Sequence, residues 1–307
     1  MTAASTALED SVSAYRHEAF LYSGVAEFLT GTTSFIRRAV SAGDPVLVVV
    51  SRAKIALRRT ELGADAEHVS FADMAGVGAN PARIIAAWRE FVQDHPDAAQ
   101  LWGIGEPIDP ERSPSELAEC QLHEALLNVA FDVSVPFWLL CPYDLEALAA
   151  EVIEEAQRTH PYLSQGDDRQ ACSTFRPIDL AAPFARRRPS QPAGGSSMSF
   201  ETGGLAGLRA FVAGQARQAG LATESVANTV LAVNEIATNS LQYGGGHGDV
   251  RVWRDGHSLV CEVSDQGHIT APLAGRLPPV LSGANGGLWL ANQVCASSRS
   301  IRRPKVP

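Results

Sequence analysis

Short apolar runs alternate with amphipathic stretches through the first half of the chain. PVLVVVS at 45–51, AQLWGIG at 99–105 and PFWLLCPYD at 136–144 have strand length, while ARIIAAWREFV at 82–92, SELAECQLHEALLNVAF at 115–131 and LEALAAEVIEEAQR at 145–158 carry apolar residues at helical spacing. Buried strands separated by helices predict a parallel sheet covered by helices, the doubly wound α/β class. At 188–197 the pattern stops: RPSQPAGGSS contains no large apolar residue and cannot anchor a core, so it marks a domain boundary.

Beyond the boundary, residues 225–243 form the clearest helical pattern. Val226, Val230, Val233, Ala237 and Leu241 fall on one side, and Asn228, Glu235, Asn239 and Gln242 form a stripe opposite. A plain solvent-facing stripe would carry Lys and Glu pairs rather than amides and one Glu. Glu235 and Asn239 are spaced i, i+4 and project one turn apart, so a carboxylate and a carboxamide oxygen are available to a hydrated Mg²⁺ ion. YGGGHG at 243–248 stops the helix. DVRVWRDGHSLVCEVSDQG at 249–267 then reads as a hairpin with Asp255-Gly256 as its turn, the second strand running into Asp265 and Gly267. Asp265, an acid at a strand end beside a glycine, suits an exocyclic amine such as adenine's. In SGANGGLWLANQV at 282–294, Gly283, Gly286 and Gly287 precede a helical stretch that starts at Leu288, an arrangement that lets backbone N–H groups approach a phosphate at a helix N-terminus.

Composition narrows the functional classes. The 307 residues suit two domains, and 45% hydrophobic with 19% charged residues describes an ordinary globular chain. The apolar runs are far below the roughly 20 residues of a membrane span, and residues 1–10 lack a signal-peptide pattern, so a cytoplasmic protein without membrane contact is expected. A net charge of -9 opposes direct nucleic-acid binding. Cys120, Cys141, Cys172, Cys261 and Cys295 are scattered and never spaced C-x-x-C, which suggests reduced thiols without a disulfide framework or zinc site. In the first half, SRAKIAL at 51–57 follows its strand without a phosphate-loop glycine pattern, so no nucleotide is expected there. His17-Glu18, His123-Glu124 and Cys120 three residues before His123 are candidate reactive groups; structural or ligand contacts are the preferred reading of them.

RHEAFLYSGVAEFLTG at 16–31, WGIGEPIDPERSPSELAECQLHEALLN at 102–128 and PFWLLCPYD resemble the MEDS family of sensory domains. The resemblance implies an input module at 15–163, a linker at 164–198 and a second domain at 199–307. The ordered set N-E-x-x-x-N, D-x-G and G-x-x-G-G-L-x-L, preceded by the helix GLRAFVAGQARQAGL at 207–221, resembles the GHKL ATPase superfamily, and within it the anti-sigma-factor serine kinase branch.

That resemblance implies an α/β sandwich with helices on one face of a mixed sheet, and ATP and Mg²⁺ as cofactors. It assigns Glu235 as catalytic base, Asn239 as Mg²⁺ ligand, Asp265 with Gly267 as the adenine reader, and Gly283, Gly286, Gly287 and Leu288 as the phosphate loop and the helix start behind it. The implied function is a regulator that binds a sigma factor and phosphorylates a serine of an anti-anti-sigma factor, and homodimers are common in that branch. Two departures keep a second reading open, a module acting by partner binding alone: Ile269 stands where many relatives have glycine, and the chain ends at Pro307, where relatives continue through another strand. A histidine kinase is disfavoured, because no two-helix dimerisation segment precedes the ATPase pattern.

Overall fold

A computed structural model describes residues 15–166, 168–176, 194–269, 271–279 and 286–296. The chain folds as two units, Met1–Ala181 and Ala182–Pro307. Gly283 and the tail beyond residue 296 lie outside the described residues.

The first unit begins with strand β1 (Arg16–Tyr22), helix α1 (Gly24–Ala42), β2 (Val46–Val50), α2 (Arg52–Leu62), β3 (Ser70–Asp73) and the short α3 (Met74–Val77). It continues through α4 (Ile84–Gln93), β4 (Leu101–Gly105), α5 (Pro114–Ala130), β5 (Phe137–Asp144), α6 (Ala150–Thr159), β6 (Tyr162–Gln165) and β7 (Asp168–Ala171). These strands form one seven-stranded sheet in the order β3-β2-β4-β5-β1-β6-β7. Every neighbouring pair is parallel except the β6–β7 hairpin at the edge.

Helices cover both faces of this sheet, as the adjacent residues Phe137 and Trp138 demonstrate. Trp138 stacks on Trp102 at 5.0 Å, and Phe35 of α1 meets both rings edge-on at 4.9 and 5.3 Å. Phe137 points the other way, toward Trp88 and Phe91 of α4 and Phe131 at the end of α5. Parallel strands buried on both faces must be apolar nearly throughout, which is why β2 reads VLVVV. Helix α5 starts at a capping box: the Ser113 side chain accepts from the Glu116 N–H, the Glu116 side chain accepts from the Ser113 N–H, and Pro114 occupies the first turn.

The second unit comprises β8 (Ser196–Glu201), α7 (Leu205–Gln218), α8 (Thr223–Tyr243), β9 (His247–Asp255), β10 (Ser258–Ser264) and α9 (Gly286–Val294). Its sheet has the order β10-β9-β8. Phe200, Val250 and Val252 pack from the strands against Leu208 and Val212 of α7 and Val233 and Ala237 of α8, with Met198, Leu259, Cys261 and Val263 extending the same layer. The apolar stripe expected on α8 is therefore the face that meets the sheet.

The chain is mixed α/β, with a parallel-rich sheet in one unit and a separate sheet in the other. Four details differ from expectation. The described strands of the second sheet are antiparallel throughout, where a mixed sheet was expected. The first sheet continues past residue 163 into β7, whose four residues are all exposed and so leave no apolar signal. Strand β8 starts at Ser196, inside the expected linker. Ser258 pairs with Asp255, so the β9–β10 turn consists of Gly256 and His257, one residue later than predicted; Gly256 takes φ +57°, which glycine adopts without penalty.

Gly31 and Gly105 of the first unit each carry an aromatic ring. A Cβ on Gly31 would sit 2.2 Å from Phe20 Cζ, and one on Gly105 would sit 2.8 Å from Trp88 Cζ2. Gly31→Ala should lower the stability of the first unit by a net 1–2 kcal/mol or so: overpacking costs about 1–3 kcal/mol and the helix-propensity gain offsets up to about 1 kcal/mol. The urea midpoint of that unit, followed by proteolytic resistance, measures it. An unchanged midpoint would mean that Phe20 has room to move.

Candidate functional site

Helix α8 places Glu235 and Asn239 on the face turned away from the strands, where both are half-buried. Helix α9 lies across them. Gly287 is buried, and a Cβ there would sit 3.0 Å from Asn239 Nδ2 and 3.3 Å from both Cβ and the carbonyl oxygen of Glu235. Only a residue without a side chain lets the two helices approach this closely. The first turn of α9 is Gly286, Gly287 and Leu288, whose N–H groups have no acceptor within the helix. The end of α9 that carries a positive partial charge thus lies against the turn of α8 that bears Glu235 and Asn239.

Asp265 is held one to two turns further along α8. Its Oδ1 accepts the Gly267 N–H at 2.7 Å. Gln266 N–H donates to the Gly244 carbonyl at 3.2 Å, and a Cβ on Gly244 would sit 2.5 Å from Asp265 Cγ. The glycines that stop α8 are therefore also what lets the end of β10 close on it. Leu288 is half-buried against Gly275, and Asn292 Nδ2 donates to the Gly275 carbonyl at 2.6 Å, tying the loop after β10 to α9.

The structure brings Glu235, Asn239, Gly286, Gly287 and Leu288 together at the α8–α9 crossing, and sets Asp265 with Gly267 at the end of the same helix. A groove of about 820 Å³ between α7 and α8, lined by Arg209, Arg217, Leu221, Val230 and Asn234 among others, holds none of these residues. It lies on another side of the helix pair.

In the first unit the candidate pairs sort differently from their sequence neighbours. Glu18 is contacted by Arg16 at 3.0 Å and accepts from Trp138 Nε1 at 3.1 Å. Cys120 donates its S–H to the Pro107 carbonyl at 3.3 Å, and burial pushes its thiol up to about 12, so it is not a nucleophile at neutral pH. His17 reaches past Glu18 to Glu124, with Nε2 3.1 Å from Oε2. Burial and then the neighbouring His160 hold His17 down at about 4, leaving its ring neutral at pH 7.

Two groupings here have no sequence signature. At the carboxyl ends of β1 and β4, Tyr22 and Lys54 both donate to Glu106 Oε1, at 2.7 and 2.6 Å. Deeper, one ligand atom each from His17, Glu124, Cys141 and His160 lie within 4.8 Å of one another, all four residues buried. The parallel register that sets His17 beside Leu139 and Ala19 beside Cys141 creates this second grouping, and no short spacing announces it.

Two families match this chain. Residues 16–161 match MEDS, the MEthanogen/methylotroph, DcmR Sensory domain, and residues 198–297 match the histidine kinase-like ATPase domain. The chain carries a MEDS domain followed by a histidine kinase-like ATPase domain. No curated protein matches it.

Gly287→Ala should separate the start of α9 from α8. Amide hydrogen exchange in 286–294 is expected to accelerate at least tenfold, about 1.4 kcal/mol of local stability, with α7 unaffected. Unchanged protection would show that the close approach is not required.

Proposed function

We propose that the second domain binds Mg²⁺-ATP and phosphorylates a serine of an anti-anti-sigma factor, within a regulator that binds a sigma factor and takes its input from the MEDS domain. The observation that carries the reading is the seat of Gly287 against Glu235 and Asn239, because it brings a helix N-terminus, a carboxylate and a carboxamide to one place.

The residues fit the cofactor. Glu235 and Asn239 offer hard oxygen donors, few in number, as suits a Mg²⁺ ion that keeps several waters. The first-turn amides of Gly286, Gly287 and Leu288 suit phosphate oxygens. Asp265 Oδ1 already accepts from Gly267, which orients the carboxylate and leaves Oδ2 to accept from an exocyclic amine. Bound ATP supplies the transferable phosphoryl group. Asn239 holds the metal, and Glu235, one turn away, accepts the serine proton or orients the hydroxyl. Phosphoryl transfer demands mainly positioning and charge neutralisation, so this small set is sufficient.

Calorimetry on the full chain tests the binding step. ATP affinity should depend on Mg²⁺, fall at least tenfold in Asn239→Ala, and stay within about threefold of wild type in Glu235→Gln, whose amide keeps the shape. Transfer to a candidate anti-anti-sigma protein should drop by about 10² to 10⁴ in Glu235→Gln. Equal affinity in chelator, or no binding at all, removes the metal-nucleotide reading. Tight binding with no transfer by wild type favours the partner-binding module.

A further inference from the structure

We infer that the MEDS domain holds one divalent transition-metal ion of the zinc class, coordinated by His17 Nε2, Glu124 Oε2, Cys141 Sγ and His160 Nε2. These atoms come from β1, α5, β5 and the residue that follows α6. His17 Nε2 lies 3.1 Å from Glu124 Oε2 and 3.4 Å from Cys141 Sγ, and His160 Nε2 lies 3.3 Å from Glu124 Oε2. Zinc bonds of about 2.0–2.2 Å to N or O and about 2.3 Å to S give tetrahedral edges of roughly 3.3–3.6 Å. These three separations are close to those edges, and all four atoms lie within 4.8 Å of one another.

The hydrogen bonds around the cluster assign both ring tautomers. Asn128 Nδ2 donates to the Thr159 carbonyl at 2.7 Å, so its Oδ1 faces His17 and accepts from Nδ1 at 3.2 Å. His160 Nδ1 donates to the Ala156 carbonyl at 2.8 Å. Both rings therefore direct Nε2 toward the same carboxylate. Two ring nitrogens, a carboxylate oxygen and a sulfur converge in a place with no solvent access, since His17, Glu124, Cys141 and His160 are each at most 2% exposed. Ring protons could answer both contacts only through aligned hydrogen bonds, and the 3.3 Å contact of His160 Nε2 is not one. A metal ion answers both.

Two further observations point the same way. His160 Nε2 and Glu124 Oε1 are buried without a hydrogen-bond partner among the described residues, a costly state for polar atoms in a core. The pattern of a ring Nδ1–H tied to a carbonyl while Nε2 faces the site is the arrangement that orients histidine ligands. Charge also balances: a divalent ion with one carboxylate and one thiolate is neutral overall, as a fully buried site requires. Coordination replaces the Cys141 thiol proton with the ion, and the proton leaves to solvent. Four protein ligands leave no open position, so the site is structural, and imidazole with thiolate selects zinc over magnesium or calcium.

The test uses the full chain, purified without a metal-affinity column. Plasma mass spectrometry should find about one zinc per chain, and X-ray absorption should show one sulfur neighbour at about 2.3 Å. After stripping with a chelator, titration with Co²⁺ should saturate at one equivalent, with tetrahedral visible bands and a thiolate-to-cobalt charge-transfer band. Cys141→Ser should abolish that last band, and Cys172→Ser should leave it. Asn128→Ala, which frees the His17 ring and the Thr159 carbonyl beside His160, should weaken Co²⁺ binding about 10- to 100-fold. Absence of metal in the purified protein together with no cobalt bands in the stripped chain overturns the proposal, as does a charge-transfer band that survives Cys141→Ser. If Cys141→Ser does not fold, the sulfur neighbour in the wild-type absorption spectrum decides.

Discussion

Strand β1 is paired on both edges and buried on both faces, and the rest of the MEDS domain is arranged around meeting those demands. β5 supplies one edge over seven residue pairs and β6 the other over four. On one face Phe20 and Tyr22 join the aromatic layer under α1; on the other His17 meets α5 and the turn after α6. Because parallel strands shift their faces together, a slip of one residue between β1 and β5 would exchange these environments, placing a histidine in an aromatic layer and a phenylalanine against Glu124. The polar cluster and the hydrophobic layer therefore enforce the same register from opposite sides.

The ATPase domain manages its polar residues differently. Where His17, Glu124 and His160 are shut away completely, Glu235, Asn239 and Asp265 are only half-buried, each beside a glycine that takes the place of a covering side chain. The first arrangement suits groups that must not exchange with solvent. The second suits groups that a soluble ligand has to reach.

What could be read from sequence follows from how local each signal is. The strands at 46–50 and 137–144 and the helix at 223–243 were legible because burial of a whole element imprints apolar spacing on contiguous residues. The close approaches of Gly267 to Asp265 and of Gly287 to Glu235 and Asn239 leave a sign in the sequence, since glycine records a close backbone approach even when the partner is distant in the chain. The hairpin at β6–β7 was not legible, because its outer strand packs on nothing. The four-residue cluster was invisible for a deeper reason: His17 and His160 are 143 positions apart, and only the completed sheet makes them neighbours. The contacts of Glu124 with His17 and His160 illustrate how packing overrides sequence proximity, since both partners come from other elements.

The ring of Phe20 seated on Gly31 makes these two positions a single inherited unit. With Phe20 in place, a methyl group at 31 has nowhere to go; with a smaller residue at 20, the same methyl fills the space the ring has left. The order of change then matters. A lineage can acquire alanine at 31 after losing the ring at 20 and pass through a loosely packed intermediate, whereas the reverse order passes through an overpacked one. The two substitutions, each damaging when made alone, compensate when combined, so their effects on fitness depart from additivity at this pair.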